Sequence, residues 1–228
     1  MIPVNERDTL ARLEAAIADV RVRIESACER AGRRSEDVRL VGVTKGVAPE
    51  VVSLGARAGL EELGENYVQE LMAKREAAPE AIWHFVGRLQ RNKVARVLDH
   101  ADVVQTLEPG PATERLVRLA AERPTDCLIE VDFAGGRVGS APEEVERFAD
   151  ELDGPGVRLR GLMTVAPQDE DPRRAFAALR AMRDRLADRF DGPGELSMGM
   201  SGDLEAAVEE GATMVRVGTA VFGPRARR

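Results

Sequence analysis

Arg39-Leu40-Val41-Gly42-Val43-Thr44 is a short apolar run that stops at Lys45 and yields, after Gly46-Val47-Ala48-Pro49, to a helical pattern over Glu50–Ala58. A run too short for a buried helix, then turn residues, then a longer 3.6-residue periodicity reads as one strand–helix unit. The unit recurs along the whole chain. Further apolar runs stand at Glu62–Glu65, Ile82–Gly87, Val103–Leu107, Cys127–Val131, Leu159–Thr164, Glu195–Gly199 and Met214–Gly218. Helical patterns separate them at Tyr67–Glu76, Lys93–Leu98, Thr113–Glu122, Glu143–Leu152, Arg173–Phe190 and Leu204–Glu210. Eight strand runs alternating with helices, without a linker-like break, predict a single α/β domain over residues 1–228, a (β/α)8 TIM barrel. A Rossmann-type open sheet is the alternative, but no G-x-G-x-x-G follows the first run. Upstream, Leu10, Leu13, Ile17, Val20, Ile24 and Ala27 recur at three- and four-residue steps, and Gly32 follows. Residues 1–32 are therefore expected to form an extra helix that packs on the barrel.

Composition narrows the function. The 228 residues carry a formal net charge of −7 with no basic stripe, which argues against nucleic acid as a partner. The short basic end, Arg225, Arg227 and Arg228, reads as a solvated tail. No run approaches the ~20 apolar residues that span a bilayer, and the N-terminus lacks the pattern of a signal peptide. Cys28 and Cys127 stand far apart and the only histidines are His84 and His100, so no metal site is expected. Two buried thiols in a reducing cytoplasm is the plain reading.

Of the 33 basic residues only Lys45, Lys74 and Lys93 are lysines; the other 30 are arginines. Against such a background a lysine that persists is a candidate for work arginine cannot do, since only the amine can shed its proton and attack. Lys45 falls at the C-terminal end of the first strand, where barrel chemistry sits, and a desolvated amine there could form a Schiff base with an aldehyde. The alternative is a strand-end lysine pointing into solvent. Lys74 lies in a polar helical stretch and reads as a solvated surface charge. Lys93 could line the mouth or simply start an exposed helix.

The other end of the chain resembles a phosphate cup. The seventh strand runs into Ser197-Met198-Gly199-Met200-Ser201-Gly202-Asp203 with a helix at once behind it, and the eighth ends in Gly218-Thr219-Ala220. Barrels hold phosphates at these two loops, where helix-start N–H groups, a hydroxyl and glycines converge. A lysine that traps an aldehyde plus a phosphate cup sums to pyridoxal 5′-phosphate (PLP). Arg216 interrupts the apolar eighth strand. It is either an internal salt-bridge partner or the group facing the cofactor ring nitrogen, to which it can donate without supplying a proton.

The blocks Val41–Lys45, Gly64-Glu65-Asn66-Tyr67-Val68-Gln69-Glu70, Trp83–Lys93, Gly161–Thr164, Leu196–Ser201 and Val215–Gly223 resemble the YggS/PROSC family of PLP homeostasis proteins. They run from the first strand to the eighth. The resemblance implies the barrel of alanine racemase, with Lys45 carrying PLP as an internal aldimine. It implies phosphate contacts from Ser201, Gly218 and Thr219, Arg216 near the pyridine nitrogen, and Asn66 beside the cofactor. His84 is expected as a packed strand histidine, with the mouth as the alternative. Two departures stand out: Thr44 replaces the serine that usually precedes the lysine, and Arg137 stands where the family often has a lysine.

The resemblance also implies a function, a protein that buffers or carries PLP, with PLP-dependent apo-enzymes as its possible acceptors. A PLP-dependent amino-acid racemase is the alternative. A two-base racemase needs a second proton carrier opposite the lysine. In racemases of this fold an added domain brings that base, and here the 228 residues end soon after the eighth strand, with Tyr67 the only tyrosine. The expectation is a monomer without significant catalytic activity.

Overall fold

A computed structural model describes residues 5–136, 138–152 and 154–224. The basic end at Arg225, Arg227 and Arg228 and the departure at Arg137 lie outside the described residues. Eight parallel strands close into a barrel in strict sequence order: β1 (Arg39–Val43), β2 (Glu62–Glu65), β3 (Ile82–Phe85), β4 (Val103–Leu107), β5 (Thr125–Val131), β6 (Val157–Thr164), β7 (Glu195–Ser197) and β8 (Met214–Val217). β8 pairs with β1 to close the ring, Val41 lying against Arg216.

The helices between strands are α2 (Pro49–Arg57), α3 (Val68–Ala77), α4 (Val94–His100), α5 (Pro111–Ala120), α6 (Val145–Glu151), α7 (Pro172–Arg185) and α8 (Leu204–Glu209), with α9 (Thr219–Phe222) after β8. α1 (Glu6–Ala31) buries Leu13, Ile17, Val20, Ile24 and Ala27, and Gly32 caps it in the left-handed conformation at φ 64°. It packs on α2, α8 and α9, the helices that flank the β8–β1 seam. Among the described residues no helix is long and apolar enough to cross a membrane.

Strands and helices fall close to the predicted positions, with differences that have physical causes. β5 and β6 begin two residues before the apolar runs, because Asp126 and Arg158 sit in register and form an ion pair across the two strands. A charged pair on a strand looks like loop in one dimension. The predicted helix over Arg173–Phe190 breaks at Leu186 into α7 and a 3₁₀ turn, Ala187–Arg189. The four-residue α9 was not expected.

Two cores result. The larger lies between the strands and the helical ring. The smaller, inside the barrel, is built on Val41, Val103, Leu128, Met163 and Met214. The same interior also holds polar groups: Glu62, His84, Gln105, Ser197 and Arg216 are each less than a tenth exposed. Buried polar atoms persist only when partnered, so these must answer to one another.

Candidate functional site

A cavity of about 360 Å³ opens at the C-terminal ends of the strands. Lys45 and Val43 enter it from β1, Asn66 from the loop after β2, and Glu130 and Met163 from β5 and β6. Ser201 comes from the loop after β7, and Arg216, Gly218 and Thr219 from β8 and α9. All six residues singled out in the sequence, Lys45, Asn66, Ser201, Arg216, Gly218 and Thr219, therefore line one cavity. A second cavity, of about 340 Å³, lies at the opposite end under α1. There Arg39 is held by Glu62 and Glu195, at the stability face of such barrels rather than the catalytic one.

The Lys45 ammonium lies 5.3 Å from the centre of the Tyr67 ring, a cation–π arrangement. Such a contact orients the amine without occupying it in an ion pair.

Lys74 is a correction. Far from being a solvated charge, it is 2% exposed. Its Nζ donates to Glu65 Oε2 at 2.6 Å, to Glu70 Oε2 at 2.6 Å and to the Thr44 carbonyl at 2.7 Å, which satisfies all three of its protons. Glu65, fully buried, also accepts from Thr44 Oγ1 and from the backbone N–H groups of Asn66 and Tyr67. Glu70 accepts from the N–H of Gly46. The network thus clamps the residues on both sides of Lys45 to the turn that carries Asn66 and Tyr67. One signal could have found it: Val68, Leu71 and Lys74 recur every three residues, and they are the buried face of α3.

Lys93 ends a 3₁₀ turn before α4 and does not line the Lys45 cavity. His84 is buried in the barrel interior, as a packed strand histidine, and not at the mouth. Cys28 and Cys127 are free and buried, and burial pushes the Cys127 thiol upward. Among the described residues no group of His, Cys, Asp and Glu is arranged to hold a metal ion.

Asn66 is held from two sides. Its side-chain amide donates to the Val86 carbonyl at 3.2 Å, and Gly87 packs flat against its backbone. A Cβ at Gly87 would fall 1.9 Å from the Asn66 carbonyl oxygen, a backbone atom that cannot rotate away. Gly87→Ala is therefore expected to destabilise the fold by about 1–3 kcal/mol, as overpacking does, read from the urea midpoint at unchanged slope.

Across the cavity, Ser201 Oγ accepts from the Ala220 N–H at 3.3 Å and so ties the β7 loop to α9. The N–H groups of Val221 and Phe222 in α9 bond the Gly218 carbonyl at 3.1 and 2.9 Å. Gly199, at φ 90°, lets the β7 loop turn close over α8, where a Cβ would come 2.4 Å from that of Ala207.

Arg216 is 5% exposed, and its contacts are neutral: Nη1 donates to Ser197 Oγ at 2.7 Å and Nη2 to the Thr164 carbonyl at 2.8 Å. The internal salt bridge considered for it is not what these contacts form. Burial pulls the guanidinium down to about 10, while the more distant Glu130 and Asp203 oppose the shift. It stays charged at neutral pH, a buried cation bordering the cavity.

The alanine racemase, N-terminal domain family model matches residues 20–226. The pyridoxal phosphate homeostasis protein of Aquifex aeolicus is 41% identical over 89% of this chain and 94% of its own. That of Pseudomonas aeruginosa is 38% identical over 92% and 94%. PipY of Synechococcus elongatus, solved with PLP bound, superposes with a TM-score of 0.78 at 30% identity, over 92% of this chain and all of PipY. The alanine racemase of Corynebacterium glutamicum shares the fold alone, with a TM-score of 0.72 at 17% identity over 96% of this chain and 62% of its own. The chain belongs to the alanine racemase N-terminal domain family and, within it, to the pyridoxal phosphate homeostasis proteins.

Proposed function

We propose that this protein binds PLP at Lys45 and holds it for delivery to apo-enzymes in the cytoplasm, without significant catalysis of its own. PLP supplies an aldehyde that condenses with a primary amine, together with a phosphate and a ring nitrogen that need donors. The chain's residues fit that ligand. Lys45 provides an amine resting on an aromatic ring, whereas Lys74 has every proton committed. Ser201, Gly218 and Thr219 would take the phosphate, Asn66 would border the cofactor, and Arg216 would donate to the ring nitrogen. The observation that carries the reading is Arg216. A buried guanidinium whose contacts are a hydroxyl and a carbonyl is a charge awaiting an acceptor in the cavity it borders.

A guanidinium charged at neutral pH would donate to the ring nitrogen without supplying it a proton, so the ring would stay a weaker electron sink than one paired with a carboxylate. Among the described residues lining the cavity the titratable side chains are Lys45, Glu130 and Arg216. None of these is a tyrosine or histidine, and the ring of Tyr67 packs on the Lys45 amine itself. The test is borohydride reduction of the protein loaded with PLP, followed by peptide mass mapping and an alanine racemisation assay. The pyridoxyl label is expected on the Lys45 peptide, with no racemisation at an enzymic rate of ~1 per second. Label on Lys74 or Lys93, or turnover at that rate, would overturn the proposal.

A further inference from the structure

The polar groups inside the barrel form one column, hydrogen-bonded from Arg216 to His84 and in close contact from there to Glu62. From Arg216 at the cavity, Nη1 donates to Ser197 Oγ at 2.7 Å, and Ser197 Oγ donates to Gln105 Oε1 at 2.7 Å. Gln105 Nε2 lies 2.8 Å from His84 Nδ1, and its other proton points to the Met214 sulfur at 3.7 Å. His84 Nε2 lies 2.9 Å from Glu62 Oε2, not aligned for an ideal hydrogen bond, though each atom is buried with no other partner. Glu62 pairs with Arg39, and Arg39 with Glu195, at the far end of the barrel. Six strands contribute: β8, β7, β4, β3, β2 and β1.

The column has a direction, and Arg216 sets it. A guanidinium only donates, so Ser197 must accept from it and keeps its own proton for Gln105. The carbonyl end of Gln105 then faces Ser197 and its amide nitrogen faces His84. The Met214 sulfur, an acceptor only, supports the same amide orientation. His84 Nδ1 must therefore be bare, which leaves its proton on Nε2, toward Glu62. At that end burial raises the Glu62 carboxyl, but His84 and Arg39 outweigh it and hold it below the ordinary range, as a carboxylate.

We propose that Gln105 and His84 are positioning residues for Arg216: the one-way column holds Ser197 as an acceptor and so keeps the guanidinium aimed at the ring-nitrogen side of the cavity. This rests on the PLP reading of the site. It goes further by assigning a role to residues that touch neither the cavity nor any ligand in it.

The test has two arms. In apo protein labelled with ¹⁵N, a long-range ¹H–¹⁵N spectrum contains signals from only two histidines, His84 and His100, and His84→Gln assigns them. His84 is expected as the neutral tautomer protonated at Nε2; the Nδ1–H tautomer or an imidazolium would leave Nδ1 unable to accept from Gln105 and would overturn the proposal. The second arm uses 4′-deoxypyridoxine 5′-phosphate, which lacks the aldehyde and so reports ring and phosphate contacts without Lys45. Gln105→Leu, checked for a cooperative fold, is expected to weaken this probe about three- to tenfold, the worth of one buried hydrogen bond. Competition by inorganic phosphate should be unchanged. Unchanged affinity for the probe, or equal loss for phosphate, would overturn the positioning role. If the wild-type protein fails to bind the probe at all, it is the PLP reading that falls, while the tautomer still decides whether the column runs as described.

Discussion

Lys45→Arg is expected to abolish borohydride-fixed labelling as completely as Lys45→Ala. Arginine keeps the positive charge and most of the length, so a site that needed only a cation would tolerate it. A site that needs an amine able to lose its proton will not, because guanidinium stays protonated in proteins and is no nucleophile. The comparison separates covalent attachment from electrostatic attraction. On the proposed reading the deoxypyridoxine probe should bind Lys45→Ala within a few-fold of wild type, because Ser201, Gly218, Thr219 and Arg216, which line the cavity from other elements, would supply its contacts. Retained labelling in Lys45→Arg, read by peptide mass, would show that the reactive amine lies elsewhere. Only Lys74 and Lys93 remain as side-chain candidates, and Lys74 is buried with every proton bonded.

The second large effect concerns stability. Lys74→Met is expected to cost about 3–5 kcal/mol, the usual penalty for removing one partner of a buried ion pair. The methionine fills a similar volume, so little of the loss comes from a cavity. The loss comes from Glu65, left 0% exposed without its cation and still bound by the backbone donors of Asn66 and Tyr67. For a chain of this size such a loss lowers the thermal midpoint by roughly 10 °C. Adding Glu65→Gln removes the buried charge and should return part of the stability, whereas a surface lysine would show neither the loss nor the recovery. A Lys74→Met midpoint within 2 °C of wild type, about 1 kcal/mol or less, would contradict the burial of this pair. Because the network grips Thr44, Gly46 and Asn66, the same variant should also loosen PLP binding at Lys45, read by slower borohydride-fixed labelling.

Much of the architecture was legible in one dimension. Strand–helix units repeat by local periodicity, and a parallel barrel follows from eight of them because each short strand must bury both faces. β2 and β4 keep the bounds read from the sequence, Glu62–Glu65 and Val103–Leu107, although Glu62, Glu65 and Gln105 are polar and buried. The cavity residues were legible as well. Lys45, Ser201, Arg216, Gly218 and Thr219 sit at the ends of strands, and a barrel brings all strand ends to one face.

The column from Arg216 to Glu62 was not legible. Its members are polar residues inside strands, and each could have faced inward or outward until the barrel closed and set the register. Ser197 and Gln105 are 92 positions apart, and no local pattern relates them. Lys74 shows the same limit from a helix: its place in the sequence looks solvated, and only the approach of Glu65 and the β1 end makes a buried charge tolerable there. The order of apolar and turn residues was enough to determine the barrel and the lysine at its mouth, because both follow from spacing along the chain. Which polar groups are buried, and what partners each of them, was decided by tertiary structure alone, because desolvation depends on atoms that only the closed fold brings together.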